Sequence, residues 1–176
     1  MKEKGLIQVY TGDGKGKSTA AIGQAVRAAG HDLKVGLVSF FKDPQLFGDG
    51  EFEPLQKIGV EAFFFAKKHP HFYKEISPGE VGEECLKGLE FIKGLFGERT
   101  WDMLILDELN IAVRDGFLRE EEVLALLEAK PRKLELILTG RGATEGIIEK
   151  ADLVSQIEKI KHPYDQGVQG REGIEY

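Results

Sequence analysis

The 176-residue sequence holds a single cysteine, Cys85, which excludes an internal disulfide and a cysteine-built metal cage and fits a reducing compartment. Cys85 itself reads as a small helix residue. Basic charge is also scarce: 24 Lys and Arg stand against 30 Asp and Glu, a net charge of −6. That balance argues against a nucleic-acid or anionic-membrane partner, because phosphate backbones demand clustered cations. No apolar stretch is long enough to span a bilayer, and the run behind the charged start MKEKGLIQ is too short for a signal peptide. No internal repeat, linker or low-complexity tract breaks the chain. What is left is a soluble, cytoplasmic protein whose length suits one domain over residues 1–176.

What the chain does have is TGDGKGKS, Thr11 to Ser18, placed between an apolar run and an alanine-rich helix. Gly12, Gly14 and Gly16 alternate with Asp13, Lys15 and Lys17, so the backbone can turn tightly with N–H groups inward, and the positive end of the following helix closes a nest for phosphate. Lys17 supplies a point charge and the Ser18 hydroxyl a ligand for Mg²⁺. The general phosphate-loop pattern has glycine where this chain has Thr11.

Apolar runs alternate with helical segments along the whole length, which predicts a mostly parallel α/β sheet of about six strands with helices on both faces. The expected strands are Leu6–Tyr10, Lys34–Phe41, Val60–Phe65, Trp101–Leu106, Leu134–Leu138 and Leu153–Ile160. Helices are expected over Lys17–Ala29 with Gly30 as a left-handed stop, just before Gly59, from Pro78 to Gly97, over Leu118–Lys130 closed by Pro131, and, after the turn Thr139–Gly142, to about Lys150. Residues 42–54, rich in glycine, proline and acids, read as a loop. Ser77, Pro78 and Glu80 form the signature of a capping box.

The fourth strand delivers Asp107 and Glu108 to its carboxyl end, where ligands of open parallel sheets gather. There Asp107 would hold Mg²⁺ or its water shell, while Glu108 either joins it or polarises a reacting group; the same pair also fits a helix N-cap followed by a first-turn acid. Arg141, in TGRG beyond the fifth strand, is either a bidentate phosphate contact or a surface arginine. Lys15 is either a second phosphate charge or solvated. In the loop AKKHPHFYKEI, His69 and His71 lack an evident third metal ligand and read as loop residues. Phe72 and Tyr73 form either a platform for a planar ligand or ordinary packing.

Taken together, YTGDGKGKSTAA, LDELN, LTGRGA, ADLV, KHPYDQG and the closing GIEY resemble the ATP:corrinoid adenosyltransferase family of the P-loop type over nearly the full chain. Thr11 is what that family carries in place of glycine. The resemblance implies a three-layer, RecA-like P-loop NTPase fold, usually a homodimer, in an enzyme of cobalamin biosynthesis. It further implies transfer of the 5′-deoxyadenosyl group of ATP to the Co(I) of a corrinoid with release of triphosphate, and a flavin-dependent reductant as the electron source. On this chain Gly12 to Thr19 would hold the triphosphate, with Ser18 and Glu108 at Mg²⁺ and Asp107 close behind. Arg141, Arg27 and His162 would be further nucleotide contacts, and Lys15, Lys17, Glu108 and Arg141 the residues closest to the chemistry. ATP would lie reversed relative to other P-loop proteins, with C5′ toward the corrinoid.

Two departures stand out. Enteric members carry an extension that covers the site, whereas only Met1 to Lys4 precede Gly5 here. Those members also place a Phe and a Trp in the loop after the third strand, where this chain has HPHFY. The implied corrin-facing pair is therefore Phe72 and Tyr73, with Phe40, Phe41 and Lys42 nearby. Two other readings use the same motifs: a small-molecule kinase, which would release ADP, and a non-catalytic protein that binds ATP and corrinoid without turnover.

Overall fold

A computed structural model of the chain describes residues 4–44, 50–98 and 100–174. The first residues of the expected N-terminal segment, the middle of the 42–54 loop and the end of GIEY lie outside the described residues. Six strands form one sheet: β1 (Ile7–Thr11), β2 (Val35–Phe40), β3 (Glu61–Phe65), β4 (Met103–Asp107), β5 (Glu135–Thr139) and β6 (Leu153–Gln156). Their spatial order is β3-β2-β4-β5-β1-β6, and every pairing is parallel. Every residue of β2, β4 and β5 is buried, the expected consequence of unbroken apolar runs covered on both faces.

The pleat divides those runs between two cores. Leu37, Ile105 and Ile137 face α1 (Lys17–Ala29) and α2 (Phe52–Lys57), against Ala21, Ala25 and Leu55. Val38, Leu104, Leu106 and Leu138 face the opposite layer. That layer comprises α3 (Pro78–Glu98), α4 (Leu109–Arg114), α5 (Glu120–Glu128) and α6 (Glu145–Lys150). The result is the three-layer α/β/α arrangement that the alternation of segments predicts.

Local chemistry sets the helix ends. At the start of α3 the Ser77 N–H donates to Glu80 at 3.2 Å and the Glu80 N–H to Ser77 Oγ at 3.1 Å, the reciprocal capping box; the helix continues through Glu98, one residue past Gly97. Gly30 is not the left-handed stop of α1, since its φ is −64°. The reversal comes at Asp32, with φ of 56°. There Leu33 N–H reaches Ala28 O at 3.2 Å and Asp32 N–H reaches Ala29 O at 3.0 Å, a Schellman closure in which a short polar side chain tolerates the left-handed turn.

One strand boundary also differs from expectation. β6 stops at Gln156 instead of Ile160, because beyond that point its backbone leaves the sheet to brace the loop after β1. The six-residue α4 is too short to show helical periodicity, and its one sign in the sequence is the fit of Asp107 and Glu108 to a helix start.

Phe40 has 0 % exposure and packs against α3, where a Cβ on Gly88 would lie 2.6 Å from Phe40 Cε1. Gly88→Ala would gain about 1 kcal/mol of helix propensity but overpack this contact at a cost of roughly 1–3 kcal/mol. Urea unfolding should therefore show a net loss of stability, and a gain would mean that the ring relaxes freely.

Candidate active site

The strand order brings the carboxyl ends of β1, β5, β4 and β2 side by side, and a cavity of about 1080 Å³ opens above them. The loop after β1 forms one wall. Gly16 takes φ of 119° directly before Lys17 starts α1, the conformation that only glycine adopts freely. Gly12 shares the left-handed backbone, with φ of 96°, and together with Gly14 it answers a second demand. Cβ atoms there would lie 2.4 Å from Ile157 O and 2.6 Å from Glu158 O, because the segment after β6 runs against the outside of the loop. Two hydrogen bonds fix that contact, from Ile157 N–H to Thr11 O at 2.9 Å and from Gly14 N–H to Ile157 O at 2.8 Å.

Thr11 stands behind the wall, where its hydroxyl accepts from Ala143 N–H at 3.1 Å and joins the phosphate loop to the TGRG turn. Lys17 is buried, and its ammonium donates to Gly14 O at 2.6 Å. Burial pushes the Lys17 pKa below its ordinary value; Glu108 opposes that shift and Arg141 adds to it. Lys15 also lines the cavity and donates to Ile174 O at 3.0 Å. Ser18, Thr19, Arg141 and His162 line the same space, whereas Gly12 and Asp13 do not.

The carboxylates sit where the apolar run of β4 ends. Asp107 is 2 % exposed. It accepts from Thr139 Oγ1 at 2.7 Å and pairs with Lys42 Nζ at 2.7 Å. Burial alone would raise its pKa, but Lys42, with hydrogen bonds from Lys42, Thr139 and Ser18, holds it below the ordinary carboxylate value. Glu108 takes φ of 60° and turns into α4, its N–H donating to Thr139 Oγ1 at 3.0 Å. Thr139 thus clasps both acids from the neighbouring strand, a role no sequence motif announces. Neither acid is a side-chain N-cap: Asp107 ends the strand, and Glu108 caps α4 through its backbone alone.

Glu108 Oε2 is buried with no hydrogen-bond partner. Burial first, then the Asp107 charge, raises its pKa. A raised folded-state pKa means that its contribution to stability is full below the unfolded value of 4.5 and is lost as pH rises through the folded value. At neutral pH the charge therefore opposes folding. In metal-free buffer at pH 7, Glu108→Gln should melt higher by roughly 2–4 °C, corresponding to about 1 kcal/mol. The gain should fade below about pH 4.5; a lower melting temperature at pH 7 would show that the charge has a hidden partner.

The residues present fit a hard dication. Ser18, Asp107 and Glu108 offer the hydroxyl and carboxylate oxygens that Mg²⁺ prefers, one of them an orphaned buried acceptor, and such sites are completed by substrate phosphates. His69 and His71 offer nothing comparable. His69 Nε2 is held by Asp115 at 2.9 Å and Nδ1 accepts the His71 N–H at 3.1 Å. Among the described residues no group of three or more His, Cys, Asp or Glu is arranged to hold a metal. Burial pushes the Cys85 thiol up to about 12, in keeping with a packed helix residue.

The apolar part of the lining is built from Phe41, Phe72, Ile111 and Phe117 around His69, beside Arg114 and Asp115. The His69 ring meets Phe41 at 4.9 Å and Phe117 at 5.3 Å, both edge-on. Several placements differ from the sequence expectation. Phe40 is a core residue, turned away from the cavity by strand alternation. Tyr73 lies off the wall, its ring 5.1 Å from Lys68 Nζ, while Phe72 lines it at 78 % exposure. Arg27 is exposed on α1, ten residues past Lys17 and so about 15 Å along the helix axis, close enough to Tyr10 for its charge to act there. Phe117, Ile111 and Asp115 went unnoticed in the sequence because only the α4 turn carries them to the cavity.

The chain matches the family model described as ATP:corrinoid adenosyltransferase BtuR/CobO/CobP over residues 3–176. It is 39% identical over 177 residues to the corrinoid adenosyltransferase CobA of Salmonella typhimurium, covering 100% of this chain and 88% of that protein. It is likewise 39% identical over 175 residues to the corrinoid adenosyltransferase of Escherichia coli, covering 99% and 87%. In fold it is similar to the KaiC-like protein PH0186 of Pyrococcus horikoshii, with a TM-score of 0.58 at 19% identity over 88% of this chain and 73% of that one.

Proposed function

Because the chain belongs to the ATP:corrinoid adenosyltransferase family, we propose that it transfers the 5′-deoxyadenosyl group of ATP to the Co(I) of a corrinoid substrate and releases triphosphate. The observation that carries the reading is one cavity lined by the phosphate loop, by Glu108 and by an aromatic cluster, with Asp107 buried next to Glu108. Polyanion and macrocycle are thereby offered adjoining surfaces of matching chemistry.

In this reading the substrate Co(I) attacks C5′, the Co–C bond forms, and the C5′–O bond breaks with its electron pair leaving on triphosphate. No proton is transferred, so Glu108 is not a base. The chain's work is to align the two substrates and to stabilise the departing charge. Lys17, Lys15, Arg141 and the N-terminus of α1 grip that leaving group, which requires ATP to lie with C5′ toward the aromatic wall. Ser18 and Glu108, with Asp107, are the residues that would hold Mg²⁺, which would supply further positive charge to the leaving group. Phe41, Phe72, Ile111 and Phe117 would receive the corrin face and exclude water from the reacting pair.

The resemblance supports three further parts of the reading: a flavin-dependent protein that delivers the electron producing Co(I), a homodimer, and a cytoplasmic location. Among the described residues no helix is long and apolar enough to cross a membrane.

Incubation with ATP, Mg²⁺ and chemically reduced corrinoid should yield adenosylated corrinoid and triphosphate in equal amounts. Release of ADP would point to phosphoryl transfer instead, and binding of both ligands without product would point to a carrier. Either outcome overturns the proposal.

A further inference from the structure

Lys42 stands at the edge of the cavity, yet its ammonium turns away from the apolar wall toward the acids. The cause lies in the backbone. β2 ends at Phe40 and is followed by Phe41 at φ of 59°, a left-handed turn held by the Phe41 N–H on Ala66 O at 3.1 Å. This turn points the next residue back across the sheet edge toward β4, whose Asp107 is in register with Ser39 of β2. Lys42 Nζ thereby lies 2.7 Å from Asp107 Oδ2, 3.4 Å from Ser18 Oγ and 3.5 Å from Glu51 Oε1. Two of these three partners are residues assigned above to the metal.

We propose that Lys42 is a tethered cation that holds the metal position of the nucleotide-free site, so that a divalent ion binds there only when a triphosphate arrives with it. A dication arriving at Ser18, Glu108 and Asp107 would share its acceptors with an ammonium already 2.7 Å from Asp107 Oδ2 and 3.4 Å from Ser18 Oγ, and the repulsion between the two positive charges in a partly buried place makes each disfavour the other. Lys17 cannot play this part, because its ammonium is committed to the loop carbonyl of Gly14. Lys42 has a flexible stem and a side chain 26% exposed, which gives the displaced charge a route into the cavity. There the phosphate oxygens offer it new partners. In the absence of nucleotide, the buried Asp107 is neutralised by the chain itself and does not collect free divalent ions.

The inference rests on the proposed reading only in taking Asp107, Glu108 and Ser18 as the metal's neighbours, and its test needs neither corrinoid nor turnover. Mn²⁺ would be titrated into nucleotide-free protein and followed by the electron paramagnetic resonance of the free ion. Lys42→Met should bind Mn²⁺ at least about tenfold more tightly than the unaltered chain, and Lys42→Met/Asp107→Asn should lose that gain. Equal affinities in Lys42→Met and the unaltered chain would overturn the proposal. Lys42→Gln, which keeps a donor toward Asp107, serves if the methionine variant fails to fold. The unaltered chain provides a further check by thermal melting. Mg²⁺ alone should leave the melting temperature unchanged, whereas Mg²⁺ with inorganic triphosphate should raise it beyond triphosphate alone; a rise with Mg²⁺ alone refutes the tethered-cation role. The effect of triphosphate without metal reports separately on the phosphate loop, so the two readings fail distinguishably.

Discussion

Lys17→Ala should lower the rate of corrinoid adenosylation by about two to three orders of magnitude while leaving the protein folded. The ammonium is held on the loop's own carbonyl, already largely stripped of water, with its pKa pushed down by burial. The cost of desolvating that charge is thus met on folding and not in the transition state, which is what makes a fixed cation effective against a departing polyanion. Removing it deletes one hydrogen bond to Gly14 O at the cavity wall, where water can replace the donor, so stability should change by no more than about 1 kcal/mol. Steady-state kinetics and a thermal melt on the same sample check both halves. A rate within about tenfold of the unaltered enzyme would mean that Lys15 and Arg141 carry the leaving-group charge without Lys17.

Asp107→Asn is the substitution with the largest expected effect on stability, a loss of about 3 kcal/mol or roughly 6–12 °C in metal-free buffer. The amide can still accept from Thr139 Oγ1, but it offers no charge to the Lys42 ammonium 2.7 Å away. Lys42 is only partly exposed and can turn to Glu51, which places the estimate at the lower end for a broken buried pair. The pH dependence has a definite sign. Asp107 has a depressed folded-state pKa, so its contribution is present above the unfolded value of 3.8 and lost as pH falls through the folded value. For Lys42 burial works toward a lower pKa, but Asp107 and then Glu51 outweigh it and raise it. The lysine's contribution is therefore full below the unfolded value of 10.5 and lost as pH rises through the folded one. The gap between unaltered chain and variant should accordingly be widest between about pH 4 and 10 and should close in acid. Chemical unfolding across pH measures it, and a gap that persists unchanged in strong acid would show that the loss comes from packing. Asp107→Asn/Lys42→Met should recover part of the loss, because a neutral pair leaves no uncompensated charge.

The stability effects of the two acids run in opposite directions although they are adjacent in sequence. Asp107 is matched by Lys42 and Thr139, while Glu108 keeps a buried oxygen without a partner at a left-handed backbone position. Unfavourable features of this kind concentrate where a ligand is to be received. Higher stability and lower adenosylation activity in Glu108→Gln would be the signature of that exchange.

The sequence by itself determined the layers and the phosphate loop. Unbroken apolar runs specify strands covered on both faces, and these runs alternate with helical segments, so a parallel sheet between two helical layers follows from local pattern alone. The loop was legible for the same reason, since glycine, lysine and serine at fixed spacing act within a few residues of one another. Only the tertiary structure decided which side chains share the cavity. Phe40 and Phe41 are neighbours in sequence, yet alternation buries one and a left-handed turn gives the other to the cavity wall. Phe117 and Asp115 arrive from another layer, and Thr139 reaches the acids from the next strand. Arg27 shares a helix with Lys17 but is carried away by its rise. Gly12 and Gly14 show the difference most clearly. The motif requires glycine, and beyond the left-handed φ of Gly12 the cause found at these two positions is the backbone of residues 157–158 pressed against them from the far end of the chain. Sequence spacing encodes contacts made within a turn or a strand; contacts between distant segments depend on the order in which the strands assemble, which no local pattern records.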